Sequence, residues 1–437
     1  MDIRLGQLRP LIEQLFELSG SPGMSLGVLH HDTPIYTAHF GRRRASQAPP
    51  PDDDTLYNVA SMTKRMTAGV VSNLVEQGLL GWDVPIRHYL PEFSERKDDV
   101  GHHATVTDLL ANRTGLSAQN TFWGTMFEDI LTKRDDVPKL ACHIPAFGEF
   151  GKTFVYSAWG YALVTSVIER VTGEPFSTCV AKYIFEPLGM NRSTLNLPAV
   201  DNAVYKHWVG LDGVAHEFPW SEYRGWSDDT GFGGAVGGRS STSYTGSILL
   251  DPQSQSAVFV LANSLPLFDI SGIVGQVLLG TLLGEIDQTH YLDLAKSVKR
   301  ANMLVYDAYA SGLASKKTDI NPSFPLKNYQ GDYSNATNSM CYSVHVHDNR
   351  HLRISAKGPH LTNYILEHSG GNTFFLAPNR QLELSQSMWP FTSPKTRIFT
   401  FNVSDGDVLS FTWHHDPTPG SKPETFSRWT GELQAKL

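Results

Sequence analysis

The segment from Asn58 to Gly69, NVASMTKRMTAG, decides the fold because it joins the start of a helix to two reactive side chains. Ser61 and Lys64 are three positions apart, and apolar residues recur at helical spacing until Gly78. Residues three apart share one face of a helix, so the spacing predicts contact between the two side chains. Serine is also a common helix N-cap. Two interpretations therefore stay open: a nucleophile beside its base, or a cap followed by a solvated lysine.

The first interpretation has a definite chemistry. A serine hydroxyl is a poor nucleophile until a base removes its proton, and an amine does this only when burial or nearby positive charge lowers its pKa. The N-terminus of a helix also offers backbone N–H groups to a developing oxyanion. Ser61 and Lys64 are therefore a candidate nucleophile and base for acyl transfer.

Helix and strand signals alternate on both sides of this segment. The patterns predict an amphipathic helix at the N-terminus, a hairpin over 23–41, helices within 105–116, 157–173 and 176–190, two strands over 246–264, and helices over 270–284 and 291–313. Thr107 is the predicted cap of the helix in 105–116.

The character of the chain changes at about residue 322. Short strand-like runs, including LELSQS from Leu382, alternate with turns, and no segment has a convincing helical pattern. This predicts an all-β domain, either an antiparallel barrel or a sandwich. We expect domains at 1–290 and 322–437, joined by a helical linker at 291–321.

Composition narrows the possible functions. The 437 residues carry a formal net charge of −8 from scattered residues, which gives no electrostatic footprint for nucleic acid. The histidines in HVH (345–347) and HHD (414–416) are predicted to be exposed strand residues, because neither group has a clear third ligand. We expect no metal and no cofactor. The three cysteines, which show no metal-binding spacing, are Cys142, Cys179 and Cys341.

The location of the protein is predicted from its N-terminus and its hydropathy. The first twenty residues mix acidic and basic side chains with apolar ones at helical spacing, which indicates a helix rather than a signal peptide. No stretch has the length and apolarity of a membrane span. We expect a cytoplasmic protein that binds neither nucleic acid nor membrane, and its oligomeric state stays open.

Five segments then change the balance between the two interpretations of Ser61. SPGMSLGVL, DDTLYNVASMTK, TVTDLLANRTGL, FVYSAWGYALVTSVIERVTGEPF and YIFEPLGMNRSTL, in this order, resemble the β-lactamase-related serine hydrolases. That family includes class C β-lactamases, penicillin-binding peptidases, esterases and fungal acyltransferases. The resemblance covers about residues 20–285, and its most specific part is 55–195. It implies an α/β fold with a β-lactamase-like antiparallel sheet flanked by helices, followed by an all-β domain similar to a lipocalin-like barrel.

The resemblance also implies roles for individual residues. Ser61 corresponds to the family's acylated nucleophile and Lys64 to its base. Tyr156 matches the family's Tyr-x-Asn tyrosine, whose phenol passes a proton to the leaving group. The Asn of that motif is replaced by Ala158, which cannot make its hydrogen bonds to a substrate amide. This counts against a working β-lactamase and favours an ester, thioester or small amide.

The family's third motif, Lys-Thr-Gly or His-x-Gly, has no clean copy in this chain. Thr245 and Gly246 form a candidate remnant, preceded by Tyr244 instead of a cation. The chain passes abruptly from the segment ahead of the motif to the segment behind it, and either a natural deletion or a wrong splice junction explains this. Trp123 is a candidate for lining an apolar acyl pocket, although packing over the surface is an equally good role for it.

These expectations define one function and two rivals. We expect cofactor-free acyl transfer from an ester, thioester or amide of a small molecule, through an acyl-enzyme that water or an acceptor alcohol or amine releases. The resemblance favours fungal secondary metabolism as the setting. One rival is a protein of the same fold that binds an acyl compound or a protein partner without turnover. The other is a β-lactamase or peptidase proper.

Overall fold

The computed structural model describes residues 3–46, 49–118, 132, 134–195, 202–218, 245–285, 287–356, 364–385, 393–416 and 418–429. Within these ranges helices α1 to α11 span Ile3–Gln7, Arg9–Ser19, Thr63–Glu76, Asp99–His103, Val106–Leu110, Val137–Ala141, Ala158–Thr172, Phe176–Val180, Ile270–Leu282, His290–Ala314 and Arg380–Ser385. Strands β1 to β15 span Gly23–His30, Thr33–Gly41, His207–Val209, Ala215–Glu217, Thr245–Asp251, Ser256–Ala262, Ser264–Leu265, Gly331–Ser334, Cys341–Val346, His351–Ala356, Tyr364–Gly370, Thr373–Leu376, Ile398–Ser404, Asp407–Trp413 and Glu424–Arg428.

The central sheet has four antiparallel strands in the order β2-β1-β6-β5. Its strands β1 and β2 form the predicted hairpin, and β5 and β6 are the predicted strand pair. Helices α2 and α9 pack against it through a fully buried apolar face that includes Ile12, Leu15, Val258, Val260, Val274 and Val277. The prediction of an antiparallel sheet flanked by helices is therefore confirmed. Among the strands that the structure describes, β5 lies at one edge of this sheet.

Helices α3 to α8 form a second group, and their buried apolar residues belong to the same cluster as those of strands β8 to β15. Helix α7 ends at Gly173, which has the left-handed conformation that often follows a helix.

The predicted cap of α5, Thr107, is wrong. Thr105 is the N-cap, because Thr105 and Asp108 complete a capping box in which each side chain accepts the other's backbone N–H. The Thr107 hydroxyl donates instead to the carbonyl of Trp82 at 3.0 Å.

The C-terminal strands β8 to β15 form a closed barrel in which each strand pairs with the next and β15 pairs with β8. This confirms the all-β prediction and selects the barrel over the sandwich. Eight strands enclose a space that side chains can fill. Here the filling is an aromatic core, none of whose members is more than 2% exposed: Tyr329, Tyr333, Tyr342, Phe374, Phe399, Phe401, Phe411, Trp413 and Phe426.

One segment of the barrel region contradicts its predicted structure. LELSQS was expected to be a strand, but its first residues belong to helix α11. Asn379 caps this helix, since its side chain accepts the N–H of Leu382 at 2.9 Å. The Glu383 side chain then reaches back to the Asn379 N–H at 3.2 Å, and it also pairs with Arg397. The cap and the buried ion pair outweigh the short alternation of apolar residues.

Helix α11 makes one of the contacts between the barrel region and the rest of the chain. Arg380 donates to the carbonyl of Val209 in β3 at 2.6 Å, and Leu384 packs with Trp208 and Phe218. None of the helices that the structure describes is both long and apolar enough to cross a bilayer. The domain limits expected at 290, 321 and 322 stay a prediction.

Candidate active site

The turn that carries Ser61 is built by its own short sequence. Ala60 has a φ of 44°, in the left-handed region where residues other than glycine are uncommon. Asn58 stabilises this turn, because its side-chain oxygen accepts the Ala60 N–H at 2.7 Å. Ser61 follows in a 3₁₀ turn over Ala60–Met62, and α3 begins at Thr63 with Met62 in the N-cap position. Ser61 is therefore not the N-cap of α3.

Lys64 lies against the Ser61 hydroxyl, with its Nζ 3.0 Å from Ser61 Oγ. Lys64 is only 7% exposed, and its burial lowers the pKa of the ammonium because a charged group is poorly solvated there. Interaction with Tyr156 opposes this lowering in part. The Nζ lies 4.9 Å from the centre of the Tyr156 ring and 5.2 Å from that of Tyr161. A serine hydroxyl, a buried amine and a phenol thus meet at the start of α3.

Tyr156 stands on an extended segment just before α7, and half of it is exposed. Asn112 holds this segment on both sides of the tyrosine. Its carbonyl accepts the Val155 N–H at 2.8 Å, and its side-chain oxygen accepts the Ser157 N–H at 3.0 Å. Asn112 has a φ of 53°, a conformation that asparagine tolerates better than most residues. Sequence reasoning missed Asn112, although an asparagine shortly after a short helix was the available signal.

The remaining predicted site residues have different positions. Ala158 is the first residue of α7 and is buried. Thr245 and Gly246 open the edge strand β5, and a Cβ placed on Gly246 would lie 2.5 Å from the methyl carbon of Met62, the neighbour of Ser61. Strand β5 therefore lies beside the turn that carries Ser61. Trp123 and Tyr244 lie outside the described residues.

Two backbone features suit this arrangement to an oxyanion. The Ser61 N–H belongs to a turn at the start of α3, where the helix dipole favours negative charge. In the described part of the chain β5 has β6 as its one neighbour, and every second N–H along an antiparallel strand points away from such a neighbour. Side chains and backbone together bring a hydroxyl, a buried amine, a phenol and backbone N–H groups to one place. The catalytic roles of these residues stay a prediction.

A second serine has partners of the Ser–His–Asp type, which the sequence did not suggest. The Ser25 hydroxyl lies 2.9 Å from His39 Nδ1, and His39 Nε2 lies 3.0 Å from Asp53. Ser25 also bonds to the Tyr57 hydroxyl at 2.9 Å, and burial raises the pKa of that phenol. Ser25 lies inside β1 and is directly opposite His39 of β2. This network ties the segment just ahead of Ser61 to the central sheet.

The candidate metal histidines behave differently from one another. His345 and His347 are exposed, as predicted. His415 is only 3% exposed, so its predicted exposure is wrong, and its Nε2 lies 2.5 Å from Glu424. The contact with Glu424 of β15 gives this buried imidazole a polar partner. In the part of the chain that the structure describes, no group of three or more His, Cys, Asp or Glu side chains could hold a metal ion.

Comparison with protein families gives two matches. The family described as "Beta-lactamase" matches residues 8–243, and "Domain of unknown function (DUF3471)" matches residues 315–428. The first match includes the Ser61 turn and Tyr156 and ends two residues before β5. The second includes all eight barrel strands.

Similar proteins come from fungi, bacteria and archaea. The chain is 25% identical over 203 residues to unguisins hydrolase ungD of Aspergillus violaceofuscus (strain CBS 115571), covering 44% of this chain and 35% of that protein. It is 30% identical over 183 residues to esterase EstB of Burkholderia gladioli, covering 37% of this chain and 44% of that protein. The chain thus spans less than half the length of these two relatives.

Solved structures extend the likeness to the whole fold. The octameric penicillin-binding protein homologue from Pyrococcus abyssi superposes with a TM-score of 0.54 at 19% identity, over 98% of this chain and 100% of that one. This likeness concerns the fold alone. The family match covers more than half of the 437 residues and contains the serine–lysine pair, so the chain belongs to the beta-lactamase family of serine hydrolases.

Proposed function

We propose that the protein is a serine hydrolase or transacylase that forms an acyl-enzyme at Ser61. The observation that carries the proposal is the 3.0 Å contact between Ser61 Oγ and the buried Nζ of Lys64. Neutral Lys64 accepts the hydroxyl proton while Oγ bonds to the acyl carbon, and the bond to the leaving group then breaks. Tyr156, beside Lys64, passes a proton to the leaving group.

The second half of the reaction restores the enzyme. Water, an alcohol or an amine gives up a proton through the same groups and attacks the acyl carbon, and the Ser61 ester bond breaks as Oγ is protonated again. Exclusion of water decides between hydrolysis and transfer. Neither half-reaction needs a group beyond the protein and its two substrates.

The proposed substrate is an ester, thioester or amide of a small molecule. Ala158, at the start of α7, presents a methyl group where an amide-binding asparagine would donate and accept hydrogen bonds. Phe154, two residues before Tyr156, is 67% exposed and offers an apolar surface to an acyl chain. The similarity to an esterase supports an ester substrate, and the similarity to an unguisins hydrolase of Aspergillus supports the proposed setting of fungal secondary metabolism. A cytoplasmic location belongs to the same proposal.

Binding without turnover is the second candidate, and Ala158 is the observation that favours it. Without the asparagine that family members use at this position, Lys64 and the substrate each lose a partner. Such a protein would keep the acyl-binding cleft but would not acylate Ser61. A fluorophosphonate probe separates the two candidates because it reacts covalently only with an activated serine.

The experiment uses the full chain, a fluorophosphonate probe and two serine variants. We expect the probe to label the wild-type protein and the Ser25→Ala variant, and not the Ser61→Ala variant. Ser25 is the matched control because it has histidine and carboxylate partners but lies inside β1. Labelling that persists in Ser61→Ala would contradict the assignment of the nucleophile. Absence of labelling in wild type, with no burst from a nitrophenyl ester, would support binding without turnover.

A second assay separates an esterase from a β-lactamase. We expect the protein to hydrolyse a nitrophenyl ester much faster than a chromogenic cephalosporin, because Ala158 offers no hydrogen bond to the lactam amide. Rapid cephalosporin hydrolysis that is lost in Ser61→Ala would instead identify a β-lactamase.

A further inference from the structure

The C-terminal barrel reaches the candidate active site through the connection between β14 and β15. The Asp416 carboxylate accepts a hydrogen bond from the Ser117 hydroxyl, and the Thr418 hydroxyl accepts one from the Ala118 N–H at 3.2 Å. The hydroxyls of Ser117 and Thr418 are themselves 3.3 Å apart. Ser117 belongs to the beta-lactamase match, while Asp416 and Thr418 belong to the barrel. Side chains some 300 residues apart in sequence therefore share one hydrogen-bonded cluster.

The same cluster continues to Tyr156. The Ser157 hydroxyl donates to the carbonyl of Ser117 at 3.0 Å, while the Ser157 N–H is held by Asn112. Ser157 is the residue between Tyr156 and the first residue of α7. The barrel thus contacts Ser117, Ser117 contacts Ser157, and Ser157 is covalently joined to Tyr156.

Burial makes this chain of contacts rigid. Ser117 is 0% exposed, Ser157 2%, Asp416 4% and Thr418 6%. Polar groups at such depth are costly to leave without partners, so each hydrogen bond restricts the others. The Asp416 carboxylate is also fixed within the β14–β15 connection, because its other oxygen accepts the Thr418 N–H at 2.9 Å. The Ser421 hydroxyl, in turn, donates to the Asp416 carbonyl at 2.7 Å.

We propose that Asp416 and Thr418 are positioning residues for acyl transfer: the barrel fixes Tyr156 through Ser117 and Ser157. The proposal rests on the proposed function, because Tyr156 is the proton carrier there. Proton transfer needs the phenol within hydrogen-bond reach of the leaving group, and a displacement of about 1 Å costs on the order of 10²-fold in rate. The barrel is thereby part of the catalytic unit and not only an appended domain.

The test measures the support and its catalytic effect separately in Thr418→Val and Asp416→Asn. Hydrogen exchange is followed in the peptide around 150–160, where the N–H groups of Val155 and Ser157 are protected. We expect exchange there to become about 2- to 10-fold faster, the equivalent of one lost hydrogen bond. The kcat/KM, which covers only the steps up to departure of the leaving group and therefore leaves out deacylation, is measured with a nitrophenyl ester and with an alkyl ester of the same acid. Because an alkoxide needs a proton to leave and nitrophenolate does not, we expect the loss to be about 10-fold or more for the alkyl ester and small for the nitrophenyl ester.

Thr412→Val is the matched control, since its hydroxyl bonds at 3.3 Å to the Thr400 carbonyl inside the barrel and has no contact with Ser117. It should change neither the exchange of the 150–160 peptide nor the ratio of the two ester rates. An equal loss on both esters, or unchanged exchange in both Thr418→Val and Asp416→Asn, overturns the proposal. If wild type lacks acylation, the proposed function fails by itself. Exchange still decides whether the barrel holds this segment, and unchanged exchange overturns that too.

Discussion

At the scale of single residues, Lys64 shows how burial makes a base. The same amine on a solvated helix surface stays protonated near neutral pH and cannot accept a proton from serine. Helical spacing was enough to predict its contact with Ser61, because three positions along a helix nearly complete one turn. The lowered pKa of Lys64 was not predictable from spacing, since it comes from burial by parts of the chain that are distant in sequence.

The pH dependence of acylation follows from that lowered pKa. We expect the rate of fluorophosphonate labelling to rise with pH as Lys64 loses its proton, with a midpoint below the ordinary lysine value of 10.5. The rate of labelling, measured across pH with stopped samples, tests this. Lys64→Arg is the control, because a guanidinium stays protonated and should give little labelling at any pH. A midpoint at or above 10.5 contradicts the prediction.

Replacing Lys64 should abolish activity but raise the stability of the protein. Lys64→Met removes a buried charge and keeps an unbranched side chain, so we expect labelling to be lost and the free energy of unfolding to rise by ~0.5–2 kcal/mol at pH 7. The native ammonium loses its proton at a lower pH than the unfolded one. Wild-type stability therefore rises between the lowered pKa and 10.5, and the advantage of Lys64→Met shrinks over that window.

Urea unfolding of wild type and Lys64→Met at several pH values measures this difference. A less stable Lys64→Met protein, or an advantage that grows with pH, contradicts the prediction.

Asn112 and Ala60 mark the limit of sequence reasoning at this scale. Both have positive φ without being glycine, and that conformation is imposed by their hydrogen-bonded surroundings rather than by residue type.

At the scale of elements, the long helices and the hairpins were predictable, while the caps and the type of some short elements were not. Helix α7 has a continuous apolar pattern and a glycine stop, which determine its type and its end. Helix α11 has only six residues, and a tertiary ion pair at Glu383 decides its conformation. Likewise, Thr105 and Thr107 are both acceptable caps by composition, and only the reciprocal bond to Asp108 separates them.

Strand β5 offers a test of how an element edge shapes the site. The nearest atoms to an added Cβ on Gly246 are the Met62 methyl carbon at 2.5 Å and Leu261 Cδ2 at 3.0 Å. Both atoms are the flexible ends of side chains, so we expect Gly246→Ala to destabilise the protein by only about 1 kcal/mol, and to slow labelling by on the order of 10-fold because the displaced Met62 adjoins Ser61. Labelling rates and urea unfolding of the same samples provide the two measurements.

A compensating substitution at Met62 tests the cause of the slower labelling of Gly246→Ala. Met62→Ala makes room for the new methyl group, so Gly246→Ala combined with Met62→Ala should label faster than Gly246→Ala alone. Met62→Ala by itself is the reference for the double variant. If the second substitution restores nothing, then the methionine does not transmit the effect of Gly246 to Ser61.

At the scale of the whole molecule, the barrel could be predicted as an all-β unit, but its contacts with the other half could not. Turn residues and short alternating runs are local signals, and they were sufficient to identify its class. The pairing of Ser117 with Asp416 joins positions 299 residues apart and has no local signature. The same holds for the contact of Arg380 with the Val209 carbonyl. Such contacts decide whether the two halves act as one unit.

A buried ion pair at this junction provides the last prediction. Arg397 and Glu383 form two hydrogen bonds of 2.6 and 3.0 Å, with side chains 0% and 3% exposed. Tyr306 of α10 donates to the same carboxylate at 2.7 Å, and its pKa is raised by burial and by the negative charge of Glu383. Glu383 thus connects the long helix before the barrel to the barrel itself.

Glu383→Gln should leave the buried guanidinium without a counter-charge and lower the free energy of unfolding by about 3–5 kcal/mol. Tyr306→Phe removes only a hydrogen bond, with an expected loss of about 0.5–1.5 kcal/mol. The double variant Glu383→Leu with Arg397→Met removes both charges and should recover most of the stability lost in Glu383→Gln. Urea unfolding measures all three. Equal losses in Glu383→Gln and the double variant would contradict a charge effect, because they would show that the packing of these side chains, and not their pairing, holds α10 to the barrel.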